Sequence, residues 1–273
     1  FVGCTDKGGL LSDVVSLRID PEIKTLYTSE GEPAEFDYSA VATFKDGSER
    51  EIDLVSWSLT NLSVGEIESD GWFTSVDTNG GVTQIIAQHV GIEAIAELDV
   101  IYRSYEITEG VDPAVVDAFD SANATPDVYV EIIYPFDGVM VPRNLEGLGF
   151  KWYQAEGHNV QRLRLLSEIT DLSVYLGDQN SWMSTAELWK KVAAANRDGS
   201  IEVYIESGVW NGSSLSDVRR GPSIDLTVNR LDARGSVLYW ETSEGAVMRI
   251  PFGETDADQF WPPPEDTTSC VGC

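Results

Sequence analysis

Short runs of alternating apolar and polar residues dominate the chain, broken every 8 to 12 positions by Gly, Asp, Asn or Pro, which is the period-2 signature of half-buried strands. Ser39 to Phe44 alternates, Lys45-Asp46-Gly47-Ser48 supplies a tight turn, and Glu49 to Ile52 returns as a hairpin. Val55, Trp57 and Leu59 share one face, opposite Ser56 and Ser58, so Trp57 is expected in a core. Ser69-Asp70-Gly71 turns a second hairpin between Val64 to Ile67 and Trp72 to Thr74, and strands follow at Thr83 to Gln88 and Glu93 to Val100. About seven strands over residues 13 to 102 predict a β-sandwich.

Residues 103 to 126, with Asp112-Pro113, Asn123 and Pro126, read as a linker, although Asp117 to Phe119 can form a helical turn. From residue 127 strands return at Val128 to Tyr134, Leu148 to Trp152, Gln161 to Leu166, Leu172 to Leu176, Ile201 to Ile205, Ile224 to Val228 and Val237 to Trp240, with Arg249 to Gly253 closing the set. One helix interrupts them. Ser184 and Glu187 have capping-box spacing, Leu188, Val192 and Ala195 line one face, and Gly199 follows the end. Residues 254 to 273 carry five acids, no bases and Pro262-Pro263-Pro264, the composition of a stiff acidic linker.

The expected architecture is therefore all-β: two tandem β-sandwiches at 13 to 102 and 127 to 253, the second with one helical insertion. In order and spacing, Phe44 to Ser48, Val55 to Ser58, Asn61 to Val64, Asp70 to Thr74 and Ile85 to Ala87 resemble the bacterial immunoglobulin-like group 2 domain. That resemblance implies a stalk or spacer module of adhesins and surface proteins. The second region, with its Phe150-Lys151-Trp152 and Leu238-Tyr239-Trp240 strands, looks like a fibronectin type III-like sandwich of large bacterial surface proteins that carry a β-propeller downstream.

Composition narrows the function. Against 18 Lys and Arg stand 46 Asp and Glu, a net charge of −28, which repels phosphate backbones and excludes nucleic acid as a partner. The same acidity makes calcium a candidate partner, although no loop has the full spacing of a calcium motif. No apolar run approaches the roughly 20 residues that span a bilayer.

Phe1-Val2-Gly3-Cys4 resembles the end of a bacterial lipoprotein signal, which implies diacylation of Cys4, residues 1 to 12 as a tether, and an exported protein at the outer membrane or cell surface. Cys270-Val271-Gly272-Cys273 is a C-x-x-C that fits c-type haem attachment, a disulfide, half a zinc site or a redox pair.

Only His89 and His158 are present, and no nucleophile elbow, phosphate loop or H-E-x-x-H occurs, so no catalytic or metal-binding set can be nominated. Trp182, Trp189 and Trp210 are either core residues or a stacking surface for glycan. The expected role is a non-catalytic, lipid-anchored stalk or adhesion module projecting a further domain. The rivals are an accessory region of a haem, redox or enzymatic protein beginning at Cys270, and a glycan-binding adhesin.

Overall fold

A computed structural model describes residues 13 to 254 and 256 to 262. Cys4, Cys270 and Cys273 lie outside the described residues. Two compact units divide the chain, residues 1 to 104 with 168 to 172, and residues 105 to 167 with 173 to 273.

Among the described residues, the first ten strands supply most of the first unit, the last of them running on past its boundary at residue 104. β1 (Val14–Asp20) pairs with β4 (Ser39–Phe44), and β4 with β5 (Glu49–Glu51), while β3 (Glu35–Asp37), β8 (Trp72–Ser75) and β7 (Gly65–Ile67) form a second antiparallel set. Facing them, β6 (Ser56–Leu59), β9 (Gly81–His89) and β10 (Ile92–Ile107) run antiparallel, and β2 (Ile23–Thr28) joins the free side of β10 in parallel.

Burial alternates along β9 and through most of β10, so Ile85, Ala87, Ala96, Leu98 and Val100 meet Ile19, Ala42, Phe44 and Phe73 in one core. Both hairpins expected from the sequence form, and Gly47 and Gly71 take positive φ at their turns. Trp57 differs from expectation. It shares its face with Val55 and Leu59 but is only partly buried, because β6 has no strand on its outer side and the ring packs over Gly71.

In the second unit the central strand is β18 (Ser200–Trp210), paired along its length with β15 (Val160–Leu166). Two consecutive strands share its other edge. β19 (Leu215–Arg220) covers the C-terminal half and β20 (Ile224–Asn229) the N-terminal half, with β11 (Thr125–Pro126) beyond β19 and β13 (Val139–Pro142) beyond β20. At the changeover Gly221 lies so close to the Val130 carbonyl that no side chain fits.

β16 (Thr170–Leu176) follows β15. A second sheet of β12 (Ile132–Tyr134), β14 (Gly149–Trp152) and β17 (Ser181–Met183) contributes Phe150, Trp152 and Trp182 to the buried residues.

Four sequence expectations are corrected here. Segment 103 to 126 is not a free linker. It holds the end of β10 and helix α1 (Val115–Asp120), whose Val115 and Phe119 sit one turn apart and pack on Val160, Tyr175 and Val218. The longer helix α2 (Ala186–Ala195) is capped by Thr185, which accepts from the Leu188 amide, and not by Ser184, whose hydroxyl accepts from Leu148 N.

The buried face of α2 is Trp189, Val192 and Ala193, one step round from the expected stripe. Finally, residues 236 to 261 do not complete the sandwich. β21 (Ser236–Glu241), β22 (Ala246–Pro251) and β23 (Asp258–Trp261) make a separate three-stranded meander, and β23 lies inside the segment expected as an acidic linker.

Partial burial sets the cost of losing Trp57. Trp57→Ala is expected to destabilise the first unit by about 2 kcal/mol, roughly half the cost of emptying a fully buried tryptophan site. Urea melts of the two variants read the contrast, with Trp152→Ala as the fully buried comparison.

Candidate functional site

Chemistry-bearing side chains gather around β15, β18 and β19 of the second unit. On one sheet face Arg162 is almost wholly buried, and its Nε donates to Glu206 Oε2 at 2.7 Å. Its Nη1 reaches Asp120 Oδ1 on α1 at 2.6 Å, and the guanidinium lies 5.2 Å from the Phe119 ring centroid.

Burial, the largest single influence, opposes the Arg162 charge, but the Glu206 carboxylate and then the Tyr175 phenol together outweigh it, so the guanidinium is held more firmly protonated than usual. Burial also raises the Tyr175 phenol, an effect that the neighbouring Arg162 reduces. Two strand positions along, Arg220 stacks on Tyr204 at 3.7 Å and reaches Glu202 at 3.3 Å.

The other cluster is a buried histidine. His158 Nδ1 is 2.7 Å from Ser207 Oγ and Nε2 is 3.3 Å from Asp217 Oδ2. Nε2 donates to the carboxylate, while Nδ1 faces the Ser207 hydroxyl across the other hydrogen bond.

Asp217 occupies the left-handed region, with φ of 48°, in a strand pair whose register shifts between Ser207 and Val209. Hydrogen bonds first from Arg219 and then from His158 hold its carboxyl below the ordinary carboxylate range. Asn159 adds a two-way clasp, donating to the Trp210 carbonyl and accepting from its amide.

Ser, His and carboxylate together suggest acyl transfer, but the geometry opposes it. Ser207 is 0% exposed, on the core-facing side of β18, so no substrate carbonyl reaches its oxygen. The trio instead pins the 154 to 159 turn to two strands. His89 has an equivalent structural post, with Nδ1 donating to the Leu54 carbonyl at 2.6 Å.

The tryptophans offered as a glycan surface are not one. Trp189 is 1% exposed and donates to the Pro142 carbonyl, Trp182 stacks on Phe150, and Trp210 packs beside Val160 and Phe119 in the α1 cluster. Large aromatic area is worth more in a core than in water, and Trp182 and Trp189 are buried while Trp210 is half-buried against its cluster. Among the described residues no three His, Cys, Asp or Glu side chains converge to hold a metal ion. Two shallow grooves flank Pro222 and Ser223, one lined by Glu131, Ile133, Phe136 and Asp137, the other by Pro126, Asp127, Val128 and Arg220.

No family model matches the chain, and no curated protein does. Among solved structures, the S-layer protein rSbsC(31-844) aligns over 87% of this chain and 31% of its own at 12% identity, with a TM-score of 0.26. Thus the chain spans under a third of that protein. Fibronectin(III)-like modules of Clostridium thermocellum CbhA align over 80% of this chain and 98% of their own, at 13% identity and a TM-score of 0.25. Titin domains A168-A170 align over 79% and 68%, at 9% identity and a TM-score of 0.26. Likenesses this distant carry no argument about activity or partner, and the all-β sandwich architecture rests on the sheets themselves.

Glu206→Ala is expected to cost about 3 to 5 kcal/mol, because it strands a buried guanidinium. Asp120→Ala, at the exposed end of the same cation, should cost under about 1 kcal/mol. Chemical denaturation of both variants tests the order.

The depressed Asp217 carboxyl contributes stability above its ordinary range and loses it as pH falls through the lower folded value. The stability gap between wild type and Asp217→Asn should therefore close below about pH 4, as read by thermal melts across pH.

Proposed function

We propose that this chain is a non-catalytic structural module of an exported bacterial surface protein, anchored through lipid on Cys4 and serving as a stalk. The observation that carries this reading is the sealed Ser207–His158–Asp217 trio. This constellation, which has the elements of a nucleophile and base, is spent on fixing a turn inside the fold.

Two further features support it. The described residues form two strand-built units, and no helix among them is long and apolar enough to cross a membrane; two acyl chains on Cys4 would hold such a module stably at a membrane. A surface with a net charge of −28 also keeps such a module hydrated and apart from anionic polymers.

Expression of the natural precursor with labelled palmitate tests the anchor. Label should enter the wild-type protein, disappear in Cys4→Ser, and mark a mature chain that starts at Cys4. A mature protein that retains Phe1 to Gly3, or label that survives the substitution, ends this reading.

A further inference from the structure

The two most exposed tryptophans of the chain, Trp240 at 59% and Trp261 at 49%, lie in one cross-strand row of the C-terminal meander. Trp240 on β21 is directly opposite Val247 on β22, and Val247 is directly opposite Trp261 on β23. Directly paired residues share a sheet face, so the two indoles flank Val247 on one side, carried by strands two spacings, about 9.5 Å, apart.

The next row on that face is Leu238, Arg249 and Asp258; the register of β23 shifts by one residue between the two rows, which brings Asp258 and Trp261, three residues apart, opposite Arg249 and Val247 on the same side. Leu238 is exposed, and Phe260 is exposed within 5.9 Å of the Arg249 guanidinium. An isolated three-stranded meander gains nothing by holding this much aromatic area in water.

We infer that this face is a binding platform for an uncharged, β-linked polysaccharide. Charge selects the occupant. The ionic groups of the face, Arg249 and Asp258, neutralise each other in a two-pronged pair, leaving a flat aromatic strip with no net charge. Around it Glu241, Glu244, Glu254 and Asp256, and a net charge of −28 overall, repel an anionic polymer and also a second copy of this chain.

Spacing agrees with that choice. Two strand spacings match the distance between alternate rings of an extended β-linked glycan, so each indole can stack on the apolar face of one pyranose. Arg249 and Asp258, one row away, supply donors and acceptors for ring hydroxyls. This site differs from the buried Trp182 and Trp189 and the half-buried Trp210, and it stands whether or not Cys4 carries lipid.

The test is affinity electrophoresis of the full 273-residue chain through gels containing hydroxyethylcellulose, xyloglucan or laminarin. At least one polymer should retard the wild type. Trp240→Ala and Trp261→Ala should each weaken retardation at least tenfold, Trp240→Phe should keep part of it, and Trp72→Ala in the first unit should leave it unchanged. Circular dichroism checks that each variant is folded. If alanine unfolds the meander, protection of the indoles from N-bromosuccinimide by the retarding polymer in the wild type gives the same answer. No retardation in any gel, retardation that survives Trp240→Ala with the meander folded, or light scattering that shows a dimer dispersed by Trp240→Phe would each overturn the inference.

Discussion

The second unit is organised around the burial of one cation. Arg162 points from the middle of a sheet into a space that α1 closes, and a guanidinium removed from water must find its counter-charges nearby. Glu206 on the paired strand supplies the first, and Asp120 at the end of α1 the second.

Phe119 from the same short helix covers the guanidinium plane. Each partner then constrains the others: the β15 and β18 register is set so that Arg162 faces Glu206, and α1 docks only where Asp120 and Phe119 reach the same group. The sheet is thus covered on a second side by a helix too short to be stable by itself.

Strands with local partners were legible in the sequence. Alternation marked β9 and β10, and the Lys45 to Ser48 and Ser69 to Gly71 turns announced their hairpins, because strand, turn and partner all lie within about 20 residues. The candidate site was not legible for the opposite reason. Gln161-Arg162-Leu163-Arg164 reads as a strand with its charges in solvent, and the helix that covers Arg162 is 42 residues upstream.

His158 sits in a polar turn, yet its partners are Ser207 and Asp217, 49 and 59 residues away. Composition misled at Asp258 to Trp261, where neighbouring acids and prolines suggested a linker, while Asp258 completes a strand by pairing with Arg249 across from it. Aromatic residues gave the least warning. Trp189 and Trp240 look alike in a sequence, and the helix packed against a core hides one while the meander leaves the other in water.

In the first unit an early strand and a late strand are neighbours that run in the same direction: β2 lies beside β10 in parallel, matched from Ile23 with Glu97 to Thr28 with Tyr102. If the chain is pulled from its two ends, tension meets this pair lengthwise. Parallel strands drawn apart by opposite ends slide against each other, so the cross-links between them share the load and must rupture together, where a hairpin pulled at its open end would peel one bond at a time. The arrangement places a six-residue ladder in shear once β1, which comes before β2 along the chain, has parted from β4.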